Sequence, residues 1–157
     1  MPPGLHVDLE TVDLETSIRT AEEIRARVPQ RFEMEQLHGI HHFDAEAQVA
    51  VGSRRIGDDE WWVPGHIPGR PIFPGVLLVE AAAQLSTWLY KELVDDERFF
   101  GFGGIDAVRF RGLVAPGDRL VLLAKATELR SRRAVFDTQA AVGGRMVFSG
   151  VITGMVV

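Results

Sequence analysis

One run of the chain is apolar on nearly every helical face. Residues 76 to about 93 contain neither Pro nor Gly, which predicts a helix buried all round rather than one laid on a surface. Pro74 and Gly75 open it, Pro being suited to a helix start because its missing N–H costs nothing there. Ala81, Ala82 and Ala83 keep the helix thin, so a sheet can pack close on several sides. Elsewhere the period is two. Phe43, Ala45, Ala47, Val49 and Val51 alternate with Asp44, Glu46, Gln48 and Ala50, predicting a half-buried strand. A polar turn region at 52–60 and a short strand or lead-in at 61–63 follow. Beyond a loop at 95–98, strands are predicted over 104–114, 119–129, 133–142 and 146–157. Ala115-Pro116-Gly117-Asp118 is a good turn, with Pro second and Gly third. Gly143-Gly144 is a hairpin signal. Residues 17–28 read as a short amphipathic helix capped by Ser17 or Thr20 and stopped by Pro29.

Helix and strands do not alternate, so the class is α+β, with an antiparallel sheet curled around one long helix. The 157 residues suit one domain with a real core. Hydrophobic content of 46% and charged content of 25% are ordinary. A net charge of −5 argues against nucleic acid as the main partner. The absence of cysteine excludes thiol chemistry, disulfides and thiolate metal sites. Residues 1–17 are an acidic N-terminal extension carrying a repeat, Val7-Asp8-Leu9-Glu10-Thr11 and Val12-Asp13-Leu14-Glu15-Thr16, read as a solvated segment or a docking tail. Residues 18–157 form the single domain. Met1-Pro2-Pro3-Gly4 has no leader-like pattern, and the apolar run 75–90 is too short to span a membrane. A cytoplasmic protein is expected.

The chemistry concentrates around residues 64–84. Pro64, Pro68, Pro71 and Pro74 each fix φ and remove an N–H, so the loop that holds His66 cannot be helical. Glu80 and Gln84, four residues apart, share a helix face. A carboxylate is seldom buried without a partner or a task. The plain alternatives are a packed loop histidine, a paired core carboxylate and a polyproline ligand, the last opposed by apolar flanks on both sides. His38, His41 and His42 show no ligand spacing, so no metal site is expected. Trp61 and Trp62 read as packing residues of core or dimer. Arg109, Arg111, Arg130, Arg132 and Arg133 are clustered cations in an acidic chain. They are either a solvated face or a docking patch for an acidic partner.

Gly65-His66-x-Pro68-x-x-Pro71-x-x-Pro74-Gly75-Val76-Leu77-x-x-Glu80-Ala81-x-x-Gln84 resembles the signature of the FabZ-type 3-hydroxyacyl-[acyl-carrier-protein] dehydratases. Ile105-Asp106-x-Val108-Arg109-Phe110-Arg111 and Val114-x-Pro116-Gly117-Asp118 look like later strands of the same family. The resemblance implies the hot-dog fold, an antiparallel sheet wrapped around a long helix, as a homodimer or a trimer of dimers. It implies His66 and Glu80 as the catalytic pair, acyl carrier protein as partner, and no cofactor beyond the phosphopantetheine that presents the substrate. Glu80, where isomerising relatives usually carry aspartate, points to the non-isomerising type. The sequence also departs from the pattern. Pro29-Gln30-Arg31-Phe32-Glu33-Met34 lacks the family's Pro-His-Arg-x-Pro-Phe, His38 falls where an aspartate is usual, Trp62, Val63 and Pro64 replace two aromatics and a glutamine, and Ile67 replaces a common Phe.

The residue types suit loss of water from a 3-hydroxyacyl thioester. Neutral imidazole can take the C2 proton. A carboxyl on an apolar helix favours its protonated form and can donate to the departing hydroxyl. The Gly75 N–H, at a helix N-terminus, suits an oxyanion, with Val76 beside it and Gln84 placed to hold a water or orient the carboxyl group. The rival readings are a coenzyme A-dependent hydratase or thioesterase and a non-catalytic acyl-binding module of the same fold.

Overall fold

The computed structural model describes residues 4–157; Met1 to Pro3, read above with Gly4 as lacking a leader, lie outside the described residues. The long apolar run forms α2 (Gly75–Val94), entered from Pro74 and ended by Asp95 in the left-handed conformation at φ 54°. Leu77, Leu78, Ala81, Ala82, Leu85, Trp88, Leu89 and Tyr90 are all buried along it, but Val76 is exposed and Val79, Glu80, Ala83 and Thr87 are half-buried, so one stripe of the helix escapes the all-round burial expected. Trp88 meets Phe43 edge-on at 5.5 Å. Tyr90 stacks on Phe100 at 4.0 Å.

Seven strands form one antiparallel sheet in the order β1-β2-β3-β5-β6-β7-β4. They are β1 (Arg19–Thr20), β2 (Gly39–Asp44), β3 (Val49–Arg55), β4 (Phe100–Phe110), β5 (Arg119–Leu129), β6 (Arg133–Val142) and β7 (Arg145–Val156). The sheet wraps α2, giving the α+β hot-dog fold expected from the sequence. The ladder alternates as the period of two requires. Leu120, Leu122 and Ala124 on β5, Ala134 and Phe136 on β6, and Phe148 and Ile152 on β7 join the core around the helix. Gly143 and Gly144, at φ 58° and 77°, make the β6–β7 turn in a conformation that needs glycine. Among the described residues no helix is long and apolar enough to cross a membrane.

Several local expectations are corrected. The strand read over 43–51 is a hairpin. The Asp44 carboxylate accepts from the N–H groups of Glu46 and Ala47, each at 3.0 Å, and Gln48 turns at φ 56°. The polar region at 52–60 is half strand, because β3 runs to Arg55, and residues 61–63 lie in a turn. The helix expected over 17–28 shrinks to α1 (Ala21–Arg25), capped by Thr20 in a capping box with Glu23, not by Ser17. The strand expected over 104–114 starts earlier and ends at Phe110, leaving Arg111 beyond it, and a bulge near Ala107 (φ 53°) breaks its alternation.

The acidic N-terminal segment lies along the outer face of the sheet. Leu5, Val7, Leu9 and Leu14 pack on Val51, Val121 and Leu123. Val7, Leu9 and Leu14 of the repeat therefore face the sheet rather than solvent. The Gln139 side chain clamps the segment, accepting from the His6 N–H at 2.8 Å and donating to the Gly4 carbonyl at 3.0 Å.

Candidate active site

The histidine loop is folded on itself by backbone bonds. The His66 N–H donates to the Trp62 carbonyl at 2.8 Å, and the Ile72 N–H to the His66 carbonyl at 2.9 Å. Its far end is tied down where the Phe73 N–H donates to the Val114 carbonyl at 2.7 Å. The imidazole is half-buried, with Nδ1 2.7 Å from the Ile72 carbonyl. A carbonyl can only accept, so Nδ1 carries a proton, and in the neutral tautomer the lone pair lies on Nε2. The loop thus fixes the tautomer in which Nε2 is the nitrogen left to act as a base.

Glu80 is half-buried in the second turn of α2. Gln84, one turn on, donates from Nε2 to Glu80 Oε1 at 2.8 Å. The same amide donates to the Met34 carbonyl at 2.6 Å, and its Oε1 accepts from the Gln36 N–H at 2.9 Å. Its amide is thereby fixed in one orientation, and it is 2% exposed. Gly75 and Val76 stand in the first turn, where N–H groups have no intrahelical partner. The Phe110 ring of β4 lies over Gly75, 3.0 Å from where a Cβ would sit, and Val76 is exposed. His66 and Glu80 make their hydrogen bonds to different partners, and none joins them within the chain.

The five arginines are not brought together. Arg109 pairs with Ser149 on β7 and Arg133 with Met155, so the two groups stand six residues apart along one strand, roughly 20 Å. Arg130 and Arg133 both pair with Glu128. Arg109 and Arg111 flank in sequence Phe110, whose ring lies over Gly75 at the N-terminus of α2.

Two of the three histidines weighed for metal, His41 and His38, are engaged otherwise. His41 contacts the Thr16 carbonyl at 2.9 Å and Ser53 Oγ at 2.6 Å, while His38 Nδ1 accepts from the Arg55 N–H at 3.1 Å. Burial and the Arg54 charge hold His38 below the ordinary imidazole range.

Sequence reasoning missed a buried polar chain behind the site. Arg54, 4% exposed, donates through Nη1 to Gln36 Oε1 and through Nη2 to Glu60 Oε1. Glu60 also accepts from the Gly57 N–H at 2.7 Å and from Trp62 Nε1 at 3.1 Å. Burial pushes the Glu60 carboxyl up, but the hydrogen bonds from Arg54, Gly57 and Trp62 and the Arg54 charge together bring it below the ordinary range. A cleft of about 550 Å³ opens beside this chain, lined by Phe32, His38, Arg54, Glu60 and Trp61 among others.

Fold and site together define a hot-dog protein with an imidazole loop and an acid-bearing central helix. The chain belongs to the FabA-like domain family, whose match covers residues 28–150. Among solved structures it is similar to the dehydratase heterocomplex ApeI:P of Xenorhabdus doucetiae, with TM-score 0.70 and 16% identity over 85% of this chain and 90% of that one. It is also similar to a mutant thioesterase of Pseudomonas aeruginosa, with TM-score 0.68 and 16% identity over 92% and 99%. A hypothetical thioesterase with coenzyme A from Streptococcus pneumoniae TIGR4 gives TM-score 0.63 and 13% identity over 88% and 97%.

Proposed function

We propose that this protein is a dehydratase that converts a 3-hydroxyacyl thioester, carried on acyl carrier protein, to the trans-2-enoyl thioester in fatty acid biosynthesis in the cytoplasm. The observation that supports this reading is the presence of a tautomer-fixed imidazole and an amide-oriented carboxyl group on two segments of one FabA-like domain. His66 Nε2 takes the C2 proton while Glu80 protonates the 3-hydroxyl, which leaves as water. The electrons of the C2–H bond form the C2–C3 double bond as the C3–O bond breaks. The Gly75 N–H, backed by the α2 dipole, holds the thioester oxygen as charge develops on it. The imidazolium then returns its proton to the Glu80 carboxylate through solvent, and both groups are reset. Gln84 keeps the carboxyl group aimed through this cycle. No resident cofactor enters; the phosphopantetheine arm presents the substrate.

The lack of a bond between His66 and Glu80 within one chain suits a site completed by a neighbouring hot-dog unit. β4 is the sheet edge, and it and its surroundings expose Phe102, Phe110, Leu113, Met155 and Val76, an apolar edge of the kind that partners cover. A homodimer, alone or in a trimer of dimers, meets that need. Arg109 and Arg111, beside Phe110, suit an acidic carrier better than the Arg130–Arg133 group, which Glu128 partly neutralises.

The second reading, a coenzyme A thioesterase, draws on the fold likeness to the Pseudomonas and Streptococcus proteins. It would use Glu80 on a water rather than on a leaving hydroxyl. The test is His66→Asn: the folded variant should lose 10²–10⁴-fold in kcat/KM for dehydration, the ordinary worth of a general base. Retention of more than about a tenth of wild-type kcat/KM would remove His66 from the role.

A further inference from the structure

His66 and Glu80 sit on different segments, yet one hydrogen-bonded chain runs between those segments through Arg54. From the acid side it passes from Glu80 to Gln84, and from Gln84 to the Gln36 N–H. The Gln36 side chain then accepts from Arg54, and Arg54 donates on to Glu60. Glu60 holds the Trp62 indole, and the Trp62 carbonyl receives the N–H groups of Gly65 and His66 at 3.2 and 2.8 Å. The apolar contacts follow the same path. Trp62 meets Phe73 edge-on at 5.4 Å, and the Arg54 guanidinium lies 5.1 Å from the Phe73 ring centre. Phe73 is next to Ile72, whose carbonyl fixes the His66 tautomer.

We infer that Arg54 and Glu60 are positioning residues that hold the His66 loop and the Glu80-bearing turn of α2 in one fixed relation, so that each chain presents both groups in register to a site completed by its neighbour. The inference rests on the reading of His66 and Glu80 as base and acid. Three physical points support it. A buried ion pair is weak evidence for stability, since well-packed apolar residues often serve as well, so its presence points to placement. The planar guanidinium fork reaches two segments at a fixed angle, which a lysine ammonium cannot do. Glu60 is bonded on three sides, to Arg54, Gly57 and Trp62, so it transmits a position rather than merely neutralising a charge. Neither residue needs to touch substrate.

The experiment compares wild type, Arg54→Met, Arg54→Lys, Glu60→Gln and the double variant Arg54→Met/Glu60→Gln in the full chain. Each is assayed for turnover and for amide hydrogen exchange at Gln36, Gly65 and His66. A displacement of about 1 Å at a reacting group costs about 10²-fold, so Arg54→Met should lose kcat on that order with KM little changed. Arg54→Lys should recover little, because it keeps charge without the fork. The double variant should be no worse than Arg54→Met, as expected for two residues acting as one unit. Exchange at Gln36 and His66 should rise in Arg54→Met while core strand amides stay protected. A folded Arg54→Met with kcat within about threefold of wild type would overturn the inference. So would unchanged exchange at both amides, or a fall in protection spread evenly over the core, which would make the pair a general stabiliser. If wild type itself dehydrates no 3-hydroxyacyl thioester, the proposed function fails and this inference's catalytic half falls with it. The exchange comparison then still decides whether Arg54 holds loop and helix together.

Discussion

Glu80→Gln separates an acid from a structural carboxyl group. The side-chain volume is conserved, and the new amide oxygen can accept the Gln84 Nε2 bond that Glu80 Oε1 accepts at 2.8 Å. The Gln84 bonds to the Met34 carbonyl, from the other Nε2 hydrogen, and from the Gln36 N–H, at Oε1, are untouched. The stability change is then at most the difference between a charge-assisted and a neutral hydrogen bond, about 1 kcal/mol. In a chain of this size that moves Tm by about 2–4 °C. Turnover should behave differently, since an amide has no carboxylic proton for the leaving hydroxyl. Loss of a general acid costs roughly 10²–10⁴-fold, equivalent to about 2.7–5.4 kcal/mol of barrier. Single-turnover dehydration, followed by enoyl absorbance, reads the chemical step without interference from product release. Glu80→Asp should keep partial activity. A folded Glu80→Gln with wild-type single-turnover rate would refute the acid role and leave His66 acting with bound water.

Three further outcomes follow from the geometry. A Cβ at Gly154 would sit 2.1 Å from Phe100 Cζ, and Phe100 is trapped against Tyr90 and Phe136. Gly154→Ala should therefore cost about 1–3 kcal/mol by overpacking, read as a lowered urea midpoint; an unchanged midpoint would show that the ring can move freely. Burial holds His6 and His38 below the ordinary imidazole value of 6.5, so their contribution to stability is present above pH 6.5 and lost as pH falls below it. Glu60, also lowered, adds a loss on the acid side of 4.5. Unfolding midpoints should fall from pH 7.5 to 5.5 and further at pH 4, and a flat profile would contradict this. Charge reversal at Arg109 or Arg111 should raise KM for a carrier-bound substrate and weaken its salt dependence, with little effect on a small thioester. Reversal at Arg130 or Arg133 should do less, and equal effects on both substrates would show that none of these arginines docks a carrier.

The parts of the fold that local chemistry determines were legible. α2 carries its own start and stop, and β5 and β6 are bounded by Pro-Gly and Gly-Gly turns, so their limits follow from the residues within them. The β2–β3 hairpin was hidden because Phe43, Ala45, Ala47 and Val49 keep one phase through the turn. The only local sign was Asp44, whose carboxylate caps that turn. The docking of the N-terminal segment had a sign on its partner: residues 120–124 are apolar at every position, so β5 needs cover on both faces. His66, Glu80 and Gln84 stood out because they share one short motif. Arg54 and Gln36 did not, since their bonds to Glu60 and Gln84 form only when β3, the 32–36 segment and α2 meet. An arginine in a polar stretch carries no sign of that burial.

The central claim is elimination of water from a 3-hydroxyacyl thioester by His66 and Glu80. It is tested most directly by giving the protein 3-hydroxybutyryl and crotonyl thioesters on acyl carrier protein and on coenzyme A. Enoyl absorbance and free thiol are then followed in the same cuvette. The account predicts reversible interconversion of the two acyl groups with no thiol released, faster on the carrier protein, and abolished in His66→Asn and Glu80→Gln alike. Thiol release from either thioester without interconversion of the two acyl groups would contradict it and make the protein a thioesterase.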